Sequence, residues 1–268
     1  MAEEKVLLLN KENGIATVTL NRPDKLNAFN DELSFALLDA LKDCEKDNAV
    51  KVIVLAGAGK GFCSGQDLQA RLESKGNGDR DTATSLGDSL RRRWNPIILK
   101  LRTIEKPVIA SINGVAAGAG ASLAFACDLR IASVNASFIQ SFSKVGLVPD
   151  SGSTFLLPRL IGVTKAFELM LMAEKLSAQE ALSLGLVNIV VEAEKLNEQT
   201  AEWAKKLAAG PTLAYALTKR AVNKAIFSDL EQLLDYEASL QEIAGRSEDF
   251  AEGIKAFVEK RTPIYKGK

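Results

Sequence analysis

The chain has 268 residues, 47% hydrophobic and 25% charged, with a formal net charge of +0. That length allows one large or two small globular domains, and the charge balance removes any global field for nucleic acid or an anionic membrane. Histidine is absent, which excludes Ser-His-Asp and Cys-His machinery and an ordinary zinc site, and leaves carboxylates, Lys, Tyr, Cys or water for acid–base work. Lys5–Leu9 and Ile15–Leu20 read as strands, and Asn13-Gly14 between them is a hairpin signal. Asn21-Arg22-Pro23-Asp24 ends the second strand. Asn30 or Asp31 is placed to cap a helix that carries Leu33, Leu37 and Leu41 on one face. Val52–Leu55 is a short buried strand, followed by a glycine-rich loop, Gly57–Gly65. The polar stretch Leu72–Asp88 is the expected mobile surface loop. Trp94–Arg102 predicts a helix, Pro107–Ile112 a strand, Ala121–Ala126 a helix, and Leu129–Ala132 and Ser137–Ile139 two further strands.

Beyond residue 150 the pattern turns helical, with Val187–Val191 as the remaining strand. Helices are expected over Thr154–Leu160, Thr164–Met172, Ser177–Leu184, Lys195–Ala209, Thr212–Ala225, Leu230–Ala244 and Asp249–Glu259. Ser177 with Glu180 is a capping-box pattern, and Gly210-Pro211 breaks two helices. The fold class is therefore α/β, with a helical tail. Cys44, Cys63 and Cys127 are odd in number and scattered, which points to a reducing compartment rather than a disulfide framework. The N-terminus lacks an apolar signal core and no window approaches ~18 apolar residues. A cytoplasmic protein without membrane or nucleic-acid partners is expected. Arg91-Arg92-Arg93, the longest basic run, reads as a solvated helix face.

Two loops carry the chemistry. Asn113–Leu123 follows a strand, opens a helix and is nearly bare of side chains, so it can offer backbone N–H groups to an anion or to an oxygen becoming one. It is not a dinucleotide loop: Leu123 stands where Gly-x-Gly-x-x-Gly needs its third glycine, and Ser137–Ser143 holds no acidic ribose partner. The loop Gly59–Leu68 is glycine-rich in the same way, also after a strand. Either one alone is also what a tight turn needs; as a pair they can converge on one oxygen, as an oxyanion hole does.

Asn21-Arg22-Pro23 with Asn27-Ala28-Phe29, then Gly61-Phe62-Cys63-Ser64-Gly65-Gln66-Asp67-Leu68, then Asn113-Gly114-Val115-Ala116-Ala117-Gly118-Ala119-Gly120, resemble the enoyl-CoA hydratase/isomerase (crotonase) superfamily in order and spacing. The likeness covers nearly the whole chain. It implies a spiral of ββα turns over 1–200 and a C-terminal helical trimerisation region over 201–268, assembled as a homotrimer or a dimer of trimers. It also implies acyl-CoA thioester substrates, with no cofactor beyond the coenzyme A that the substrate carries. The implied oxyanion donors are the N–H groups of Gln66 and Ala119. For the CoA path the resemblance implies Lys25, Leu26 and Ala28, with Ser64, Gly65, Asp67, Leu68, Val115, Gly118 and Pro149 around the substrate. Phe257 and Lys260 would reach a neighbouring subunit's CoA.

In hydratases of this superfamily two glutamates flank the substrate. The matching positions here are Ser122 and Phe142, neither of which can do that work. Leu147-Val148-Pro149-Asp150-Ser151-Gly152 offers another carboxylate, Asp150, at the place where isomerases and dehalogenases of the superfamily carry an acidic residue. An Asp before Ser-Gly also serves to cap a turn or the next helix. One carboxylate suits a proton shuttle across an oxyanion-stabilised enolate, and apolar neighbours such as Phe138, Phe142 and Val148 would raise its pKa. Phe142–Asp150 and the tail segments Ala244–Phe250 and Lys260–Pro263 resemble the family's isomerases, including those that open ring epoxides. A double-bond or epoxide isomerase is thus expected. A hydratase with a different base, and a non-catalytic acyl-CoA- or RNA-binding protein, are the alternatives; neutral charge and few aromatics count against RNA.

Overall fold

The structure, a computed structural model, describes residues 5–69 and 85–268. The expected loop Leu72–Asp88 lies outside the described residues up to 84. Strands β1 (Leu7–Glu12) and β2 (Ile15–Leu20) form an antiparallel hairpin. Both turn residues, Asn13 and Gly14, are left-handed, at φ 53° and 80°, as a two-residue hairpin turn requires. Pairing runs out to Glu12 opposite Ile15, so β1 starts later and ends later than the hydrophobic pattern alone placed it. Asn30 accepts from the Leu33 N–H and caps helix α1 (Asp31–Lys46), which buries Leu33, Leu37 and Leu41.

The chain then alternates between two sheets. Strands β3 (Val52–Gly57), β5 (Val108–Ile112), β7 (Leu129–Ser133) and β10 (Ile189–Val191) extend the hairpin into a six-stranded sheet of order β1-β2-β3-β5-β7-β10. The short strands β4 (Gly61–Cys63), β6 (Val115–Ala117), β8 (Ser137–Ile139) and β9 (Lys175–Ser177) build a second sheet, in the order β4-β6-β8-β9. Each passage places one strand in the large sheet and the next in the small one, and returns by a helix or turn; this is the ββα spiral. Period-2 alternation decides the packing. Ile53 and Leu55 face the main core with α1, whereas Val52 and Val54 face a second core with Ile109, Ile131 and helix α8 (Leu196–Ala208). Residue 200 lies within that helix.

Between β4 and β5 run α2 (Leu86–Ser89), a π turn (Leu90–Trp94) and α3 (Asn95–Thr103). Helix α4 (Ala119–Ala126) is buried along its whole length, between β6 and β7. Helices α5 (Ser153–Ile161) and α6 (Val163–Met172) follow β8, and α7 (Ala178–Ser183) carries the expected Ser177/Glu180 capping box. The chain closes with α9 (Thr212–Ala225), α10 (Leu230–Gly245) and α11 (Glu248–Glu259). Helix α9 is tied to the core by Lys219, which donates to Asp128 at 2.7 Å and to the Leu101 carbonyl at 2.8 Å. The last residues fold back: the N–H groups of Lys266 and Gly267 donate to the buried Asp249 carboxylate at 2.6 and 2.9 Å. Among the described residues no helix is long and apolar enough to cross a membrane.

Candidate active site

The two glycine-rich loops meet. The peptides on either side of Gln66 are pinned to Phe29: the Phe29 N–H donates to the Gly65 carbonyl at 2.7 Å, and the Asp67 N–H donates to the Phe29 carbonyl at 3.0 Å. In this parallel bridge the N–H of Gln66 itself points the other way and has no protein acceptor among the described residues. Gly65, at φ 93°, abuts the second loop so closely that a Cβ there would stand 2.8 Å from the Ala117 carbonyl oxygen and 3.5 Å from the Ala119 nitrogen. Ala119 is the first residue of α4, so its N–H is one of the unsatisfied donors of a helix start, and it too lacks a protein acceptor among the described residues. Gly120 sits against the first loop from the far side, where a Cβ would come within 2.2 Å of the Cys63 carbonyl.

The Gln66 side chain is clamped as well. Its Nε2 donates to the Phe29 carbonyl at 2.8 Å, and its Oε1 accepts from the Trp94 indole N–H at 3.1 Å. Trp94 packs on Phe29 with ring centroids 4.4 Å apart. Trp94 ends the π turn, a feature that often accompanies functional sites. Its signal in the sequence was only that of a large aromatic heading a helix.

A cavity of about 390 Å³ opens over the two free N–H groups. Ser64, Gly65, Gln66 and Leu68 of the first loop line it, together with Gly118 and Ala119 of the second. Leu86, Leu90 and Trp94 close one side; Phe142, Val145, Leu147, Val148 and Asp150 close the other. Among the described residues, Asp150 and Lys144 are the charged groups of this lining. Burial pushes the Asp150 carboxyl above the usual carboxylate range, opposed by a hydrogen bond from the Ser151 hydroxyl to Oδ1 at 2.8 Å. The carboxylate does not cap α5: the cap position is Gly152, with no side-chain cap. The Asp150 backbone carbonyl instead accepts from the Ser153 N–H at 2.9 Å and from the Ser122 hydroxyl at 3.2 Å. Ser122 also lies 2.8 Å from the Ser153 hydroxyl. It is fully buried on α4, so the helix that presents the Ala119 N–H also holds the peptide of Asp150.

The remaining sequence-predicted residues divide. Lys25, Leu26 and Ala28 lie beside the first loop, where the Ser64 N–H donates to the Leu26 carbonyl at 2.9 Å and its hydroxyl donates to the Lys25 carbonyl at 3.2 Å. Val115 is paired with Gly61 across β4 and β6. Asp67 is buried and ion-paired to Arg22 at 3.0 Å, so its carboxylate is engaged inside the fold. Pro149 leads into Asp150 but does not line the cavity. Phe257 is 86% exposed on α11 and Lys260 is the left-handed residue that ends that helix; neither lines this chain's cavity. Cys63 is buried behind the Gly65–Gln66 loop, its thiol pushed up to about 12 by desolvation.

Comparisons with known proteins agree with this arrangement. The family model described as Enoyl-CoA hydratase/isomerase matches residues 10–268. The 1,2-epoxyphenylacetyl-CoA isomerase of Escherichia coli K12 is 44% identical over 98% of this chain and 98% of its own. The trans-2-decenoyl-[acyl-carrier-protein] isomerase of Streptococcus mutans is 39% identical over 98% and 99%. Among solved structures, an enoyl-CoA hydratase from Polaromonas sp. JS666 superposes with a TM-score of 0.89 at 35% identity, covering 97% of this chain and 99% of that one. With the spiral, the paired loops and the match running almost from end to end, the chain belongs to the enoyl-CoA hydratase/isomerase family, enzymes acting on acyl-CoA.

Proposed function

We propose that the protein is an acyl-CoA isomerase in which Asp150 carries the proton and the N–H groups of Gln66 and Ala119 hold the thioester oxygen. One observation carries the reading: Asp150 is the carboxylate lining the described cavity, while Ser122 and Phe142 occupy the two positions where a hydratase of this family has glutamates. Water addition needs a base for water and a proton donor for carbon. A bond shift needs one group that takes and returns the same proton.

For a 3-enoyl thioester the Asp150 carboxylate takes a proton from C2, and the electron pair delocalises onto the thioester oxygen and across C2 to C4. The two backbone N–H groups stabilise that oxygen as its charge develops. Asp150, now the neutral acid, returns the proton to C4, and the double bond lies between C2 and C3. A raised carboxyl pKa suits both halves of the cycle, because it narrows the gap to a carbon acid activated by the thioester. The 44% identity to a 1,2-epoxyphenylacetyl-CoA isomerase favours a ring epoxide among the acyl groups it handles. Lys25, Leu26 and Ala28 would line the path of the CoA arm, with Ser64 and Leu68 at its mouth, and Phe257 and Lys260 would serve a neighbouring subunit.

The test is turnover of 2-enoyl-CoA, 3-enoyl-CoA and epoxyphenylacetyl-CoA in deuterated water. Isomerised product is expected, carrying deuterium only where the Asp150 proton exchanges with solvent before it is returned; hydration of crotonyl-CoA without isomerisation overturns the reading. Asp150→Asn should lower kcat by about 10³-fold, within the range general acid–base groups contribute, while binding of the CoA ester persists.

A further inference from the structure

We propose that Ser151 is a positioning residue for Asp150: its hydroxyl occupies Oδ1, so that Oδ2 alone exchanges the proton with substrate. The inference rests on Asp150 being the proton carrier. Three observations support it. The Ser151 hydroxyl donates to Oδ1 at 2.8 Å, whereas Oδ2 accepts nothing from protein among the described residues. Ser151 is buried, so its hydroxyl faces little competition from water. Ser151 also holds φ at 52°, a left-handed conformation that disfavours a residue with a Cβ, immediately before Gly152 at φ 79°. Glycine would adopt that backbone more easily. A side chain thus stands where the backbone disfavours one, and among the described residues its hydroxyl bonds the carboxylate.

The chemistry follows from this bond. A hydroxyl donor strengthens as its acceptor gains charge. It therefore favours ionised Asp150 against the burial that opposes it, and it directs the substrate proton to Oδ2. The charged groups on the surrounding elements do not substitute for it. Lys144 stands on the cavity wall, and among the described residues it makes no ion pair with Asp150. On α2 and the π turn, Asp88 pairs with Arg91 and Arg93 pairs with Asp31, while Arg92 extends from the same turn. On α5, Arg159 donates to the Phe155 carbonyl. α4 carries no charged residue. Among the described residues, burial raises the Asp150 carboxyl and the Ser151 hydroxyl opposes that shift.

The experiment compares Ser151→Gly and Ser151→Ala with the parent enzyme. Two quantities are read: kcat/KM for a 3-enoyl-CoA as a function of pH, and the 13C titration of the Asp150 carboxyl in labelled protein. Asp150 works ionised, so activity falls as pH drops through its pKa. Losing the hydroxyl raises that pKa and moves the acid limb to higher pH. On that limb kcat/KM should fall about tenfold in both variants, with the carboxyl titration moving in parallel. Ser151→Gly removes the conformational cost, so its Tm should match or exceed the parent's. A Gly variant with the parental limb and the parental titration overturns the proposal. The titration reads the hydrogen bond without turnover, so a fully active Asp150→Asn would sink the isomerase reading separately.

Discussion

Asn27 is fully buried at φ 57°, and its side-chain amide is used completely. Its Nδ2 donates to the carbonyls of Ala58 and Gly61 at 2.9 and 2.8 Å, and its Oδ1 accepts from the Arg22 N–H at 2.9 Å. One residue thereby ties the Arg22–Phe29 segment to the loop that becomes β4. Asn27→Ala would strand two carbonyls and an N–H, and would also place an alanine in a left-handed conformation. A loss of about 3 kcal/mol is expected, measured as a lower urea midpoint, with KM for CoA esters rising because the Lys25–Ala28 segment loosens. Ser122 shows a different point at the same scale. From the chain alone it stood out for not being a glutamate. In the fold its hydroxyl holds the Asp150 peptide, a role that depends on a contact 28 positions away and leaves no local pattern to read.

The elements that make the site differ in how visible they were. Capped and amphipathic helices such as α1 and α7, and the Asn13-Gly14 hairpin, declare themselves through local chemistry, and the structure reproduces them to within a few residues. The strands of the small sheet do not: β4, β6 and β9 are three residues each, too short to show alternation, and their partners come from distant parts of the chain. Helix α4 begins at Ala119, two residues ahead of the expected Ala121, because the glycines that weaken a helical pattern are there for close approach. Gly120 makes that approach measurable. A methyl group 2.2 Å from the Cys63 carbonyl must push α4 away from the first loop and carry the Ala119 N–H with it. Gly120→Ala is expected to cost about 1–3 kcal/mol in unfolding and, with Ala119 in its proposed role, to lower kcat about 10²-fold, the penalty typical of a displaced oxyanion donor. A variant that keeps the parental kcat would show that the two loops need not be in register.

At the scale of the molecule, the apolar surface is uneven. Helix α11 exposes Phe250, Ile254, Phe257 and Val258, and α6 exposes Val163, Phe167, Leu171 and Met172. Clusters of this size are rarely left in water by a monomer. Self-association is therefore expected, and the family resemblance makes a homotrimer or a dimer of trimers the proposed form, checked by sedimentation velocity. Phe257→Glu should shift the distribution toward smaller species while leaving the helices of each chain formed; a protein that sediments as a monomer before substitution would refute the expectation.

The burial of Cys63 has a chemical consequence of its own. On the proposed reading, the enzyme's substrates include electrophiles, and an epoxide alkylates a thiolate readily. Cys63 stands directly behind the Gly65–Gln66 loop, yet burial pushes its thiol up to about 12, which keeps it protonated at neutral pH. Cys44 and Cys127 are buried too, both thiols shifted upward, and the chain has no imidazole. Among the described residues the cavity thus offers a strained three-membered ring no thiolate and no imidazole, and Asp150 and Lys144 are the charged groups it meets there.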